Sequence, residues 1–350
     1  MLFSLLIACQ DPTPTNTTDY SLEEETVFLT SVAMDYSVGS LASVTVDGLN
    51  ITDDISTVSG DPIIRSAGGY LWQINRYLYD TIRKYDPLSP SAPEVEISVA
   101  PETGSSNPHD IALCADRLFV SLYEQDYVLV LDPVDLSEEA RLSISEFSDA
   151  DGRTEASSFA EANGFLYLAL QGLDRNANFT PVASTILEID CNSTEIRNSW
   201  TIGANIELID WKEDQFLFAS ESWDQGVQGI YSFAPATEEL LPILETEEPI
   251  SALDASGDRI VFISTESMAD QYTVHCFDGE TLSSSPGFSE YLPSLAFSSK
   301  GELWVSAHWG WLEPSASRPG IYRFDEKCSL LDPDPLEFNL APNSFVFVTP

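Results

Sequence analysis

Residues 147–159 read FSDADGRTEASSF, which sets three carboxylates, Asp149, Asp151 and Glu155, around Gly152. Hard oxygen donors alternating along a loop, with a glycine at its bend, suit Ca²⁺. The stretch is shorter than an EF-hand loop and lacks its terminal glutamate, so two other readings stand beside the metal. One is an Asx-type turn with solvated carboxylates. The other is ion pairing of Asp151 or Glu155 with Arg175. Ca²⁺ is the only cofactor that the residues suggest.

The chain has three histidines, His109, His275 and His308. His109 would need a carboxylate partner to act as a general base. Its neighbour Asp110 is unsuited, because adjacent residues on a strand point to opposite faces. His275 falls within a strand-like run and reads as structural. His308 stands beside Trp309 and Trp311, which serve either a ligand pocket or packing between sheets. G-x-S-x-G, H-E-x-x-H, phosphate-loop and dinucleotide fingerprints are all absent from the sequence.

The 350 residues carry 15 Lys and Arg against 57 Asp and Glu, a net charge of −42. Such a field repels phosphate backbones and anionic lipid, which excludes nucleic acid as a partner, and it suits solubility in a salty medium. The N-terminus, MLFSLLIACQ, is apolar up to Cys9 and too short to span a bilayer. Leu6-Ile7-Ala8-Cys9 resembles a lipoprotein lipobox, which makes Cys9 the expected lipidation site and the cell envelope, at the outer membrane, the expected location. Residues 1–8 then read as a signal segment and 9–25 as a Pro/Thr-rich and acidic tether. Contact with membrane is expected through that lipid alone. Cys114, Cys191, Cys276 and Cys328 allow three disulfide pairings, and their spacing fits no zinc or iron–sulfur pattern.

What must position these residues is a repeat. TVFLTS, GYLWQI, RLFVSL, FLYLAL, QFLFAS, RIVFIS and ELWVSA recur along the chain. Taking Phe28, Tyr70, Leu118, Leu166, Phe216, Ile260 and Leu303 as equivalent, the intervals are 42, 48, 48, 50, 44 and 43 residues. Each run is rich in β-branched and aromatic residues, and most follow a turn signal such as SAGG or EANG. A second strand follows, usually ending in Asp, and another short strand precedes most of the runs. This is the pattern of an all-β, seven-bladed β-propeller of four-stranded blades. The expected domain spans 26–350, with blades starting near 27, 61, 107, 155, 205, 249 and 292. The terminal NSFVFVT is expected to close the ring onto the first blade and remove free sheet edges.

The repeats resemble the YVTN-type units of YncE-like seven-bladed propellers. Residues 107–190 resemble more specifically a group of bacterial, myxobacterial-type lipoproteins. The match rests on N-P-x-D-I at Asn107–Ile111, D-x-D-G-x-x-E at Asp149–Glu155 and L-D-R at Leu173–Arg175. Thr154 and Gly172 depart from the group's pattern, which touches loop geometry rather than fold. The resemblance implies an exported, membrane-tethered propeller and assigns no reaction.

In such a wheel the first strand of each blade lines a central channel, and the loops of one face surround its mouth. The candidate ligand-binding face comprises Asp61, Asn107, His109, Tyr123, Glu155, Gln171, Asp174, Arg175, Asn205, His308, Trp309 and Trp311. No catalytic residue is assigned. The expected role is a binding or scaffold module for a small ligand or partner protein. The alternative is a metal-dependent hydrolase or lactonase, with Asp61, Asn107, Glu155 and Asn205 converging on a cation.

Overall fold

The second strand of each repeat explains the architecture. Leu118, Phe119 and Val120 are successive residues and all are fully buried. Alternate side chains of a strand leave on opposite faces, so a continuous apolar run is stable only where both faces are covered. Here Leu118 and Val120 pack towards Trp72 and Ile74, whereas Phe119 packs towards Leu166 and Leu168. Each sheet is thus sandwiched between two others. Burying each such side chain contributes about 1.5–3 kcal/mol.

The computed structural model describes residues 22, 24–207, 209–212, 214–221, 228–266, 271–310 and 317–350. It is a seven-bladed propeller of antiparallel sheets. Blade one is built from Ala341–Val348, Thr26–Val32, Gly39–Thr45 and Ile51–Val58, in that order outwards. Blade two runs Pro62–Ala67, Tyr70–Asn75, Thr81–Tyr85 and Val95–Ser98, and blade three runs Pro108–Cys114, Arg117–Leu122, Tyr127–Leu131 and Glu138–Ser143. Blade four comprises Ala156–Ala162, Phe165–Leu170, Ala183–Asp190 and Glu195–Ala204, with a small hairpin, Leu173–Asp174 and Thr180–Pro181, inserted after its second strand. Ile209–Lys212, Ile250–Ser256 and Ser294–Phe297 are the inner strands of blades five, six and seven. In blade seven the fourth position is held by residues 330–336, which pair with Ile321 and Phe324 only through isolated bridges at Leu336 and Leu330.

Closure is visible in two ways. The inner strands contact one another in sequence around the ring, and Ala341–Val348 touches both Ser294–Phe297 and Pro62–Ala67. Among the described residues seven apolar clusters occur, each shared between two neighbouring blades. The C-terminal strand pairs with Thr26–Val32, so the expected ring closure is what the chain does. Two disulfides cross blade boundaries: Cys114–Cys191 joins blades three and four, and Cys276–Cys328 joins six and seven. Tight turns link inner to second strands; Gly68-Gly69 and Asn163-Gly164 take positive φ at both positions, as a type I′ hairpin requires.

Candidate functional site

Every inner strand starts on the same face of the wheel, and its entry residue is tied to the turn that follows the second strand. The Arg76, Tyr123, Gln171 and His308 amides donate to the carbonyls of Asp61, Asn107, Glu155 and Tyr291. Asn107, Glu155 and Asn205 share a left-handed backbone, with φ of 47°, 50° and 54°. Such a conformation costs about 1 kcal/mol or more outside glycine, so these three entries are held by their surroundings.

The entry side chains do not converge on one point. Asp61 Oδ1 accepts from Arg76 Nη2 at 2.6 Å and from Nε at 3.1 Å. Asn107 Oδ1 accepts from the Tyr77 amide at 3.1 Å. Glu155 accepts from Arg175 Nε at 3.0 Å and from the Leu173 amide at 2.5 Å, one bond on each carboxylate oxygen. Asn205 lies in a chain: Tyr123 Oη donates to Gln171 Oε1, Gln171 Nε2 to Asn205 Oδ1, and Asn205 Nδ2 to Glu221 Oε1, at 2.5, 2.6 and 2.6 Å. Three blades are linked side by side along the mouth.

The DADG loop is turned by its own carboxylates. Asp149 Oδ1 accepts the Asp151 amide and Asp151 Oδ1 the Arg153 amide, both at 2.9 Å, while Asp151 Oδ2 accepts the Arg175 amide at 2.9 Å. Arg175 also reaches Glu124 at 2.9 Å and lies over the Tyr123 ring at 5.5 Å. The ion pair weighed as one alternative for this loop is therefore present between Glu155 and Arg175. Among the described residues no group of three or more His, Cys, Asp or Glu is arranged to hold a metal. Asp174 caps a single 3₁₀ turn by accepting from the Asn176 and Ala177 amides. His308 is 1% exposed and stacks on Tyr36 at 5.2 Å, with Trp309 half-buried beside it. Trp311 and Cys9 lie outside the described residues.

Two residues beyond each entry position the chain meets the channel. Ile63, His109, Ser157, Glu207, Ser251 and Pro293 all line a central cavity of about 660 Å³. Arg76 and Tyr291 stand at its mouth, and Arg65, Asp210 and Asp254 line it further in. Arg65 is neutralised by Asp110 at 2.6 Å, on the strand face away from His109. His109 stacks on Tyr123 at 4.2 Å. Burial, with Arg76, Arg65 and Arg175 nearby, holds its imidazole well below the ordinary value, so the ring is neutral. Glu207 is enclosed by protein, yet its side chain is accessible because it projects into the open channel. Among the described residues its carboxylate makes neither a hydrogen bond nor a salt bridge. Burial pushes its pKa up, and only Arg76 opposes the rise. Asp254 is pushed up to about 6 by burial and by the charge of Asp210.

Arg76, Glu207 and Tyr291 are absent from the set expected from sequence. Their signal was nevertheless in the repeat: Glu207 follows Asn205 as His109 follows Asn107, and Arg76 occupies the turn position of Tyr123 and Gln171.

No family model and no curated protein matches the sequence. Solved structures do match the fold. A putative 6-phosphogluconolactonase from Bacteroides fragilis superposes with a TM-score of 0.67 at 12% identity, over 97% of this chain and 100% of that one. A functionally unknown protein from Desulfotomaculum acetoxidans gives 0.60 at 14% identity, over 92% and 99%. A dihydro-heme d1 dehydrogenase gives 0.54 at 13% identity, over 93% and 75%. At these identities the likeness is one of fold alone.

Proposed function

We propose that the protein is an envelope-tethered binding module that takes a small ligand into the mouth of its central channel. The observation carrying this reading is Glu207. A channel-lining carboxylate without a hydrogen-bond partner among the described residues, in a cavity of about 660 Å³ beside Arg76 and His109, leaves an acceptor that a ligand can reach. Two inter-blade disulfides support an oxidising compartment, hence export. Thr26 opens the strand whose far end, Val32, faces Ala341 at the mouth, so the chain enters from the opposite face. A lipid on Cys9 would therefore hold the mouth away from the membrane. The test is native mass spectrometry of protein recovered from its own envelope, beside a Ser251→Trp variant that fills the channel. Retention of a small molecule by the wild type but not by the folded variant supports the reading, and equal retention overturns it.

A second reading, hydrolysis of a lactone or related ester, is favoured by the same carboxylate. A carboxyl raised by burial and facing a guanidinium can exchange a proton closer to neutrality than an ordinary glutamate. The similar Bacteroides fragilis structure carries the description putative 6-phosphogluconolactonase. Ring opening of gluconolactone by the wild type, lost in Glu207→Gln, would establish it. A rate equal to buffer would dismiss it.

A further inference from the structure

We infer that the ligand of the channel mouth is a neutral, polyhydroxylated molecule of the saccharide or polyol class; this rests on the channel reading above. Two polar side chains of different chemistry, neither with a side-chain hydrogen-bond partner among the described residues, face the same cavity. As a carboxylate, Glu207 offers acceptors only. The His109 ring, for whose nitrogens no hydrogen-bond partner occurs among the described residues, offers one donor and one acceptor in its neutral form. A hydroxyl both donates and accepts, so a run of hydroxyls satisfies the two at once.

Charge argues the same way. The cations around His109 are each matched by a carboxylate: Arg65 by Asp110, Arg76 by Asp61 and Arg175 by Glu124 and Glu155. Glu207, with Asp210 and Asp254 further in, opposes an anion. Arg76 is already bonded to Asp61 and attracted by Glu207, which leaves no spare positive charge for the carboxylate of a zwitterion. The His109 ring, backed by its stack on Tyr123, and Tyr291 at the mouth add flat surface of the kind that covers the C–H face of a sugar ring.

The experiment is titration calorimetry of the full chain with glucose, sorbitol, N-acetylglucosamine and maltose. Spermidine, gluconate and glycine serve as cationic, anionic and zwitterionic probes. Glu207→Gln keeps the shape of its side chain and weakens its acceptor; His109→Phe keeps the stack on Tyr123 and removes both ring nitrogens. Saturable binding of a neutral probe, weakened about tenfold or more by either variant and abolished by Ser251→Trp, is the expected result. Binding of spermidine, gluconate or glycine instead, lost in the same variants, overturns the ligand class and leaves the channel reading standing. Binding indifferent to all three variants, or no binding of any probe, overturns both.

Discussion

Arg175 Nε lies 3.0 Å from Glu155 Oε1, and the same guanidinium reaches Glu124 from its other arm at 2.9 Å. One side chain thus pins the inserted hairpin of blade four to its own entry strand and to a loop of blade three. Glu155 is 1% exposed, so removing Arg175 leaves its buried charge with the Leu173 amide alone. Arg175→Ala should cost about 3 kcal/mol in urea unfolding. Arg175→Lys should recover only part of that, because an ammonium cannot serve both carboxylates as a fork does. A loss indistinguishable from that of an exposed arginine would refute the argument.

The same geometry makes a prediction about calcium. Both oxygens of Glu155 are taken by protein donors, which leaves Asp149 and Asp151 without their third partner. Adding calcium after EDTA should leave the melting temperature unchanged. A rise specific to calcium would mean that a cation displaces Arg175 from Glu155.

His308 gives the fold an acid-sensitive limb. Its ring is buried, its pKa is lowered from 6.5 to about 4 chiefly by burial, and in the unfolded chain it returns to the ordinary value. The folded pKa is the depressed one, so the unfolded chain binds the extra proton. The contribution is full above about pH 6.5 and is lost as pH falls towards 4. His308→Phe keeps the stack on Tyr36 and removes the titration. Thermal unfolding followed by circular dichroism should show the variant losing less stability than wild type between pH 7 and 4, by up to about 3 kcal/mol. Parallel curves would dismiss this role.

The disulfides should matter more to stability than to shape. Cys114–Cys191 spans 77 residues and Cys276–Cys328 spans 52. Closing loops of that length restricts the unfolded chain by about 4 kcal/mol each in the chain-entropy description. Reduction should lower the urea midpoint while the far-ultraviolet spectrum of the folded state stays the same. Removing one bridge at a time, by Cys191→Ser or Cys328→Ser, should give losses of similar size.

The wheel was legible in the sequence because its second strands are covered on both faces, which prints them as unbroken apolar runs such as RLFVSL and FLYLAL. The closing strand was legible for the same reason. The outer positions were harder: Glu138–Ser143 is mostly exposed, and in blade seven only isolated bridges hold the outermost segment. At the site, letters of obvious chemistry drew attention to Asp149 and Asp151, which build a turn. Glu207 stands between apolar residues, Ile206 and Leu208, with no motif around it, and only its place in the repeat puts it on the channel wall. That Arg175 answers Glu155 is a matter of two loops meeting in space, which spacing along the chain does not encode.

The innermost strand of blade one, Ala341–Val348, leaves the ribosome long after Thr26–Val32, the strand it pairs with. Until it arrives, Phe28 and Leu29 belong to a sheet with a bare edge towards the axis, open to pairing with the wrong neighbour. The order of synthesis therefore runs against the order of assembly. Completion of blade one waits for Ala341–Val348 to be synthesised and, for an exported chain, to cross the membrane.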